Sequence, residues 1–459
     1  MVQVLKVAGR PEMFSGTIRL PPSKSYLHRA LFVSAMTVGS SSLINCGTRL
    51  NDDIEATISC LNHLGVQIHS SQSDYGSLLV VPGVASKTNI LINARGSGTT
   101  ARFSIPFAAL TNEGVRVRIV GDRSLTMRPM KSIFDSLNQL GVSCRSEESD
   151  GKLPIIVEGG GIRGGECDVD GSISSQFVSS LLISCTRAAK DTTIHVSNPE
   201  KLVSKPYIHA TIKVLSWFGF KIDVFGSKNQ EFDAFKIRGK QLVPGKKGFP
   251  VPGDMSSAAS LMCAALASRG EVTLSNFGNT DFPQPDSAII SVAKKFGGKI
   301  IRKPQGLSIK AIGKISPKRL TLDLGDSPDL VPAVAGISAA SGSQVTIVNV
   351  GHLRFKESDR LATLSRELRK IGVATKEKKT SLEIIGSRLP KSETFRKPIL
   401  LDPEKDHRML IALTIAGLSG RFGELNIQDP DCVKKSYPDF VNDLQRLCHE
   451  NSTVALTES

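Results

Sequence analysis

The stretch CLNHLGVQI, residues 60–68, decides the fold because close variants of it recur along the chain. The variants are SLNQLGVSC (136–144), VLSWFGFKI (214–222), VAKKFGGKI (292–300) and ELRKIGVAT (367–375). Their glycines lie 75 to 78 residues apart. In each variant a helix-like segment ends at a glycine, which can adopt the left-handed turn that closes a helix. A β-like apolar stretch follows, and FVNDLQRLCHE (440–450) is a sixth copy without the glycine.

A second helix-like segment recurs in the same frame and is rich in small and apolar residues. Its copies are ALFVSAMTVG (30–39), ARFSIPFAALTNEG (101–114), SQFVSSLLISCTRAAKD (175–191), SSAASLMCAALASRG (256–270), PAVAGISAASG (332–342) and RMLIALTIAGLSG (408–420). These segments are apolar on most faces, so we predict that they are buried helices. Each is followed by a strand-like stretch such as VRVRIV (115–120). The repeating unit is therefore strand, buried helix, strand, amphipathic helix and further strands.

Six such units, each of about 75 residues, predict an α/β (α+β) protein of two domains with three units each. We assign residues 22–248 to the first domain and residues 1–21 with 249–448 to the second. Residues 449–459 are expected to form a flexible tail. The segment KKGFPVPGD, residues 246–254, lies between the third and fourth units and is the predicted crossover.

Composition and charge argue against several classes of protein. The chain has 459 residues and a formal net charge of +15, which favours anionic ligands. The basic residues are spread along the chain and only 5% of residues are aromatic, so we expect no nucleic-acid partner. No apolar run is long enough to cross a bilayer and the first residues do not resemble a signal peptide. We therefore expect a cytoplasmic protein without a membrane partner.

The cysteines and histidines give no sign of a disulfide framework or a metal site. The eight cysteines are scattered without a C-x-x-C pair, and the eight histidines lack H-x-x-x-H spacing. This usage fits a reducing compartment. We expect no metal, no cofactor and a monomeric protein.

Polar clusters precede the buried helices. They are PSKSYLHR (22–29), GSGTTAR (96–102), SISSQF (172–177), PGDMSSAAS (252–260), GDSPDLVPA (325–333) and DHRML (406–410). Ser, Thr, Asp and Gly are good helix caps, and capping is also the role expected for Asp53 and Asp254. Capping does not require the charges of Lys24, Arg29, Arg102, Asp329 and Arg408. Helix N-termini suit phosphate and carboxylate, so these clusters predict anion sites.

The amphipathic helices have a parallel set of polar starts. They are LNDDIEA (50–56), TMRPMKS (126–132), VSKPYIHA (203–210), FPQPDSA (282–288), LRFKESDRLA (353–362) and VKKSYPDF (433–440). Together the two sets supply cations, carboxylates and neutral hydrogen-bonding groups. This inventory fits a reaction between two anions with proton transfers, and it contains neither a Walker loop nor a metal cage.

The motifs resemble those of 5-enolpyruvylshikimate-3-phosphate (EPSP) synthases. In chain order they are PSKSYLHRA, SGTTAR, LTMRPM, DGSISSQF, VSKPYI, GDMSSAA, SPDLVPA, LRFKESDRL, DHRM and KKSYPDF, and the resemblance covers about residues 5–447. It implies the enolpyruvyl transferase fold, with two domains of three βαβαββ units and an active site in the interdomain cleft. The implied reaction transfers the enolpyruvyl group of phosphoenolpyruvate to the 5-hydroxyl of shikimate-3-phosphate, in the shikimate pathway to chorismate.

The resemblance also implies roles for individual residues. Asp329 is the base for the 5-hydroxyl, with Lys24 close to it, and Glu357 is the proton donor to the methylene carbon. The implied ligands of shikimate-3-phosphate are Lys24, Ser25, Arg29, Ser174, Ser175, Gln176, Ser204, Tyr207, Asp329, His352 and Lys356. The implied ligands of phosphoenolpyruvate are Lys24, Gly98, Arg128, Gln176, Arg360, Arg408 and Lys435. Enzymes of this family are inhibited by glyphosate, so we expect this protein to be sensitive to it.

Two departures from the family pattern and two rival functions stay open at this point. Gly96 stands where the family usually has Asn, and Phe103 stands where many members have a smaller residue. UDP-N-acetylglucosamine enolpyruvyl transferases share the fold but use a reactive cysteine, and the corresponding stretch 114–129 contains none. A non-catalytic RNA-binding repeat protein is favoured only by the net charge.

Overall fold

The computed structural model of the protein describes residues 3–71, 73–148, 151–277, 282–303, 306–313, 319–386, 397–449 and 452–458. The chain divides into two compact units. The first unit comprises residues 22–252, and the second comprises residues 1–21 and 253–459. We had predicted the boundary between the two units after residue 248, but it lies after residue 252. The reason is that Phe249–Pro250 pairs with the first-unit strand Ser41–Ile44.

Two strands precede the first unit, β1 (Gln3–Val7) and β2 (Thr17–Arg19). The elements of the first unit are α1 (Lys24–Ala35), β3 (Ser41–Ile44), α2 (Asp52–His63), β4 (Gln67–Ser71), β5 (Ser77–Val81), β6 (Asn89–Asn93), α3 (Gly98–Ala108), β7 (Arg116–Val120), α4 (Arg123–Thr126), α5 (Lys131–Gln139), β8 (Cys144–Ser146), β9 (Ile155–Glu158), β10 (Gly165–Val169), α6 (Gln176–Ser184), β11 (Thr192–Val196), α7 (Pro206–Phe218), β12 (Ile222–Ser227), β13 (Gln230–Ile237) and β14 (Phe249–Pro250).

The second unit continues after the crossover. Its elements are α8 (Met255–Ala267), β15 (Glu271–Ser275), α9 (Ile289–Lys295), β16 (Gly298–Lys303), β17 (Gly306–Ala311), β18 (Arg319–Asp323), α10 (Val331–Ser341), β19 (Gln344–Val348), α11 (Arg360–Lys370), β20 (Ala374–Lys378), β21 (Ser381–Ile385), β22 (Ile399–Leu401), α12 (His407–Gly417), β23 (Leu425–Gln428), α13 (Phe440–Cys448) and β24 (Val454–Glu458).

Within the described residues, the strands form six four-stranded sheets, three in each unit. The sheet β6-β7-β9-β8 illustrates the common pattern. Its first two strands are parallel and joined through α3, and the last two form antiparallel pairs. The other five are β14-β3-β5-β4, β10-β11-β13-β12, β16-β17-β15-β2, β18-β19-β21-β20 and β22-β23-β1-β24. This confirms the predicted α/β fold of repeated units.

The repeated glycines end helices as predicted. Gly65, Gly141, Gly219, Gly297 and Gly372 all have positive φ angles, between 80° and 110°. This left-handed conformation lets the chain leave the helix while its last carbonyls are satisfied. In the sixth copy, His449 takes the same conformation after α13, with a φ of 56°.

The small-residue helices form the interior of each unit. Every residue of α8, α10 and α12 is buried, and these three helices of the second unit pack against one another. In the first unit, α3 packs against both α1 and α6. Burial on all faces explains the small and apolar composition, because large polar groups there would lose their hydration. The starts of these helices carry the polar clusters found in the sequence.

The prediction of a flexible tail was wrong for residues 454–458. These residues form β24, which runs antiparallel to β1 with Gln3 opposite Glu458. Val454 is fully buried, so the strand contributes to the core. Pairing with β24 also satisfies backbone groups of β1 that would otherwise form an open sheet edge.

Candidate active site

Lys24 is the first residue of α1 and forms an ion pair in the first unit. Its Nζ lies 2.8 Å from Oδ2 of Asp53 at the start of α2. The prediction that Asp53 caps this helix was wrong, because Asn51 is the cap and its side chain accepts the backbone N–H three residues on. Asp254 does cap α8 in the second unit, as predicted.

Arg29 joins α1 to α7 within the first unit. Its Nε donates to Oγ1 of Thr211 at 2.7 Å, its Nη1 to the carbonyl of Ser25 at 2.7 Å, and its Nη2 to the carbonyl of Tyr207 at 3.1 Å. Burial lowers the pKa of the guanidinium to about 10. Arg29 therefore fixes the positions of Ser25 and Tyr207, two of the other residues implied to bind shikimate-3-phosphate.

A buried hydrogen-bond chain runs from α1 to the start of α3. His28 Nδ1 lies 2.8 Å from Thr57 Oγ1, which lies 2.7 Å from Thr100 Oγ1. Thr100 Oγ1 lies 2.7 Å from the Oγ of Ser97, the residue that caps α3. Burial is the main reason that the pKa of His28 falls to about 3, so the ring is neutral. These hydrogen bonds hold the turn before Gly98, and no motif in the sequence predicted them.

We expect the free energy of unfolding of His28→Asn to depend less on pH under acidic conditions than that of wild type. The pKa of His28 is about 3 in the folded protein against an ordinary value of 6.5. The contribution of the neutral ring to the free energy of unfolding is therefore complete above pH 6.5 and is lost as pH falls towards 3. Within that window the loss is about 1.4 kcal/mol per pH unit.

This difference is measured by urea unfolding of wild type and His28→Asn at several pH values between about 7 and 5. Asparagine keeps a polar group near Thr57, so the chain has a substitute partner. The matched control is His63→Asn, because His63 is exposed on the same unit. Equal slopes of unfolding free energy against pH for wild type and His28→Asn would contradict the expectation.

Arg102 organises the side chains around the starts of α3 and α6. Its Nη1 donates to Gln176 Oε1 at 2.8 Å and to Ser174 Oγ at 3.4 Å. Gln176 Nε2 in turn donates to Thr99 Oγ1 at 2.9 Å. The guanidinium carbon of Arg102 lies 4.9 Å from the centre of the Phe177 ring, which adds a cation–π contact. Arg102 was noticed as a charge in the sequence but was given no role.

Gly98 faces two guanidinium groups of the first unit. A methyl group at this position would lie 2.9 Å from Arg128 Nη1 and 3.5 Å from Arg102 Nη1. Arg128 is itself 5% exposed. The absence of a side chain at Gly98 therefore leaves room for two buried cations beside a helix N-terminus, which is a favourable arrangement for an anion.

The implied serines of the first unit lie near helix starts. Ser175 is buried and directly precedes α6, and Ser174 Oγ accepts the backbone N–H of Gln176 at 3.2 Å. Ser204 is buried before α7 and has a φ of 56°, a conformation that costs a non-glycine residue energy.

Arg360 of the second unit contacts three carboxylates. It is 2% exposed, and it pairs with Asp329 at 3.2 Å, with Glu357 at 2.8 Å and with Asp406 at 2.9 Å. Burial opposes its charge, but the charges of Asp406, Glu357 and Asp329 outweigh burial and raise the pKa of Arg360 above its ordinary value. The two carboxylates with implied catalytic roles are thus held by one arginine.

Each of these two carboxylates also lies near a second cation. Arg408 Nη2 is 3.4 Å from Asp329 Oδ2, and Lys435 Nζ is 3.7 Å from Glu357 Oε1. The Nε of Arg408 is buried and has no hydrogen-bond partner among the described residues. An anion bound here would supply that partner and would find three cations within reach of the two carboxylates.

Asp406 was missed as a site residue although its motif, DHRM, was recognised. It caps α12 by accepting the backbone N–H of Arg408 at 2.9 Å, and it also accepts from Ser358 Oγ at 3.1 Å. Its remaining contacts hold Arg360. A helix-capping aspartate followed two residues later by a site arginine was the available signal, but capping alone explained it.

His352 and Lys356 lie in one short segment before α11. His352 is buried, and burial followed by the charge of Lys356 lowers the pKa of the ring to about 3. The imidazole is therefore neutral near pH 7.

Phe103, one of the departures from the family pattern, packs edge-on against Phe32 at 5.5 Å and lies 5.6 Å from the guanidinium carbon of Arg29. It fills the core of the first unit beneath that arginine.

The described part of the chain contains no helix long and apolar enough to cross a membrane. Among the same residues, no group of three or more His, Cys, Asp or Glu side chains is suited to hold a metal ion.

Two units built from one repeat, each with buried arginines beside helix starts, are the arrangement that the resemblance to enolpyruvyl transferases implies. A family model described as EPSP synthase (3-phosphoshikimate 1-carboxyvinyltransferase) matches residues 9–444. The chain belongs to this family. Its reaction is the transfer of the enolpyruvyl group of phosphoenolpyruvate to shikimate-3-phosphate in aromatic amino acid biosynthesis.

Relatives agree with this assignment, and a solved structure has the same fold. The 3-phosphoshikimate 1-carboxyvinyltransferase of Methanosarcina acetivorans is 35% identical, with 96% of this chain and 98% of the relative covered. That of Korarchaeum cryptofilum is 36% identical, with 95% and 97% covered. A solved EPSP synthase from Acinetobacter baumannii has the same fold, with a TM-score of 0.77 and 21% identity over 99% of this chain and all of that one.

Proposed function

We propose that the residues implied by the family resemblance carry the reaction in this protein. The observation that supports this most is the contact of one buried arginine, Arg360, with both Asp329 and Glu357. A reaction that moves a proton off a hydroxyl and another onto a carbon needs two carboxylates in different surroundings. Here Asp329 is shared by two arginines, whereas Glu357 is shared by an arginine and a lysine.

The proposed chemistry has two stages. In the first, the 5-hydroxyl oxygen of shikimate-3-phosphate attacks the central carbon of phosphoenolpyruvate. Asp329 takes the hydroxyl proton, Lys24 is the proposed cation for this step, and Glu357 gives a proton to the methylene carbon. In the second stage the carbon–oxygen bond to phosphate breaks, and phosphate leaves with the proton held by Asp329. The new methyl group returns a proton to Glu357, which restores the double bond. Both carboxyl groups thereby return to their starting protonation states.

The cations of the second unit have a second role in this proposal. Arg360 and Lys435 hold carboxylates of the protein, and Arg408 has an Nε–H group without a partner among the described residues. The carboxylate and phosphate of phosphoenolpyruvate compete for these donors. Arginine's planar fork suits both groups, so Arg360 and Arg408 are proposed to bind them bidentately. Loss of a cation from Glu357 would then favour its protonated, proton-donating form.

Shikimate-3-phosphate is proposed to bind mainly through the first unit. The hydroxyls of Ser174, Ser175 and Ser204 can donate to phosphate oxygens without adding bulk, and Arg29 holds Ser25 and Tyr207 in place. His352 and Lys356 complete the proposed set from the second unit. Gln176 is proposed to meet both substrates, and its amide is already oriented by Arg102 and Thr99.

The test of this function is release of inorganic phosphate from phosphoenolpyruvate by the purified protein. Rapid release is expected only when shikimate-3-phosphate is present. UDP-N-acetylglucosamine in its place is the control acceptor, and it should give no release above background. Release with the nucleotide sugar alone would overturn the proposed acceptor.

We further propose that the protein acts as a monomer in the cytoplasm and has no nucleic-acid partner. The dispersed basic residues and the low aromatic content support the last point. Light scattering coupled to size-exclusion chromatography tests the oligomeric state. A mass of twice the 49.3 kDa chain would overturn the monomer.

Gly98→Ala is expected to weaken the binding of glyphosate more than the binding of phosphoenolpyruvate. The added methyl would lie 2.9 Å from Arg128 Nη1, and this guanidinium can shift because it is the end of a flexible side chain. Glyphosate is the longer of the two competing ligands, so it should lose more from the reduced space. The inhibition constant should therefore rise by a larger factor than the KM for phosphoenolpyruvate.

Both constants are measured on purified Gly98→Ala protein, with wild type in parallel. Ser86→Thr is the matched control, because it adds a methyl group at an exposed position of the same unit. Equal factors for the two ligands in Gly98→Ala would mean that Gly98 only eases the start of α3 and does not line the site.

A further inference from the structure

Helices α1 and α2 of the first unit are joined through their side chains at two levels, one helical turn apart. Lys24 and His28 are four residues apart on α1 and therefore share one face of that helix. Asp53 and Thr57 share a face of α2 in the same way. Lys24 Nζ lies 2.8 Å from Asp53 Oδ2. One turn further on, His28 Nδ1 lies 2.8 Å from Thr57 Oγ1, so the two contacts fix how α1 and α2 are placed along their axes.

Thr100, near the start of α3, connects a third helix to both levels. Its hydroxyl oxygen lies 2.7 Å from Thr57 Oγ1 and 3.2 Å from the backbone carbonyl oxygen of Asp53. It also lies 2.7 Å from the Oγ of Ser97, which caps α3 by accepting the backbone N–H of Thr100. The hydroxyl of Thr100 therefore ties the turn that caps α3 to the residue that pairs with Lys24.

The side chains of this cluster can be satisfied in one consistent order of donors. The ring of His28 is neutral, and a proton on its Nδ1 lets it donate to Thr57, whose hydroxyl can then donate to Thr100. The hydroxyl of Thr100 in turn donates to Ser97 Oγ or to the carbonyl of Asp53. The four side chains that carry these donors and the Ser97 acceptor are fully buried, so bulk water cannot take the place of a lost partner.

We propose that Thr100 is a positioning residue that fixes the turn before Gly98 relative to Lys24. Lys24 and Gly98 are both proposed to meet phosphoenolpyruvate, and a small anion binds well only if the groups around it are held at a set separation. Thr100 acts on the ligand through Ser97 and Asp53 and does not have to touch it. This inference rests on the proposed roles of Lys24 and Gly98.

The test compares Thr100→Val with Thr100→Ser. Valine keeps the shape of the side chain but removes the hydroxyl, whereas serine keeps the hydroxyl. In Thr100→Val the KM for phosphoenolpyruvate should rise about three- to tenfold, the effect of losing roughly one hydrogen bond, and Thr100→Ser should restore a value near that of wild type. Shikimate-3-phosphate has more proposed ligands in the first unit, so its KM should change by a smaller factor. An unchanged KM for phosphoenolpyruvate in Thr100→Val, or equal factors for the two substrates, would overturn the inference.

Thr111→Val is the matched control just beyond the other end of α3. Thr111 is buried, and its hydroxyl donates to the carbonyl of Ala108 at 2.8 Å. This variant also loses a buried hydroxyl group and should be less stable than wild type, but its KM for phosphoenolpyruvate should stay at the wild-type value. A rise in KM as large as that of Thr100→Val would show that loss of stability alone produces the effect, and it would overturn the role of Thr100.

Thr57→Val breaks the same connection from α2 and provides a second variant if Thr100→Val does not fold. It should also raise the KM for phosphoenolpyruvate. In the protein with both substitutions, the rise should be smaller than the product of the two single factors, because both remove the same 2.7 Å contact. A rise equal to that product would mean that the two hydroxyls act independently, which contradicts the proposed connection.

Amide hydrogen exchange gives a readout that does not depend on turnover. The backbone N–H of Thr100 is accepted by Ser97 Oγ, and that of Ala101 by the carbonyl of Ser97. Both should exchange faster in Thr100→Val than in wild type, whereas they should keep the wild-type rate in Thr111→Val. Equal exchange in Thr100→Val and wild type would overturn the inference whatever the activity.

Failure of the proposed function is seen separately, as the absence of phosphate release by the wild-type protein with phosphoenolpyruvate and shikimate-3-phosphate. Normal release by wild type together with an unchanged KM in Thr100→Val would overturn only the inference about Thr100.

Discussion

Asp329→Ala should lower kcat by about a hundred- to ten-thousand-fold, which is the range supplied by a positioned general base. The carboxylate lies between Arg360 at 3.2 Å and Arg408 at 3.4 Å, so two ion pairs fix its orientation. Removing it takes away the acceptor for the hydroxyl proton and leaves the two arginines with one carboxylate fewer. Binding of shikimate-3-phosphate should stay measurable, because most of its proposed ligands belong to the first unit.

Steady-state phosphate release gives kcat, and titration calorimetry gives the affinity for shikimate-3-phosphate. Asp431→Ala is the control, since that carboxylate is exposed on the same unit and pairs only with the neighbouring Lys434 among the ion pairs of the described residues. Asp329→Asn keeps the shape of the side chain and separates loss of the base from loss of packing. Turnover of Asp329→Asn close to that of wild type would remove Asp329 from its assigned role.

Glu357→Gln should reduce turnover by a similar factor, about a hundredfold or more, through a different step. Glutamine keeps the size of the side chain and can still accept from Arg360, but it cannot deliver a proton to the methylene carbon. The specific measurement is incorporation of solvent deuterium at that carbon during the reaction, which should fall together with kcat.

The control for Glu357→Gln is Glu377→Gln, which breaks an ion pair with Arg354 at 2.8 Å in the same unit. It removes one carboxylate and should leave both kcat and deuterium incorporation near the wild-type values. Loss of kcat in Glu357→Gln with undiminished deuterium incorporation would assign the proton transfer to another group.

The repeated fold could be predicted from the sequence because each copy carries its own local signal. A glycine at a fixed place after an amphipathic helix, such as Gly219, has a steric cause that does not depend on the rest of the chain. The pairing of β1 with β24 had no such signal. These strands are separated by most of the chain, and their register depends on tertiary packing that short motifs do not encode.

The candidate site, too, could be predicted from the sequence only in part. Charged residues beyond what capping needs, such as Arg360 and Arg408, stood out in the motifs. Asp53 was assigned to a cap because its position allowed it, and only the three-dimensional contact with Lys24 revealed the ion pair. Asp406 was quoted within the motif DHRM and given no role, because its burial and its contact with Arg360 cannot be read from neighbours in sequence.

The pairing of Gln3 with Glu458 constrains the order in which the protein can fold as it is synthesised. The first unit is one uninterrupted length of chain, so it can form its three sheets once residue 252 has emerged from the ribosome. The sheet β22-β23-β1-β24 cannot be completed until residues 454–458 are available. Strand β1, which is made before the first unit, is thus paired on both edges only after the rest of the second unit has been made. During translation its exposed edge can form aberrant contacts with other nascent chains.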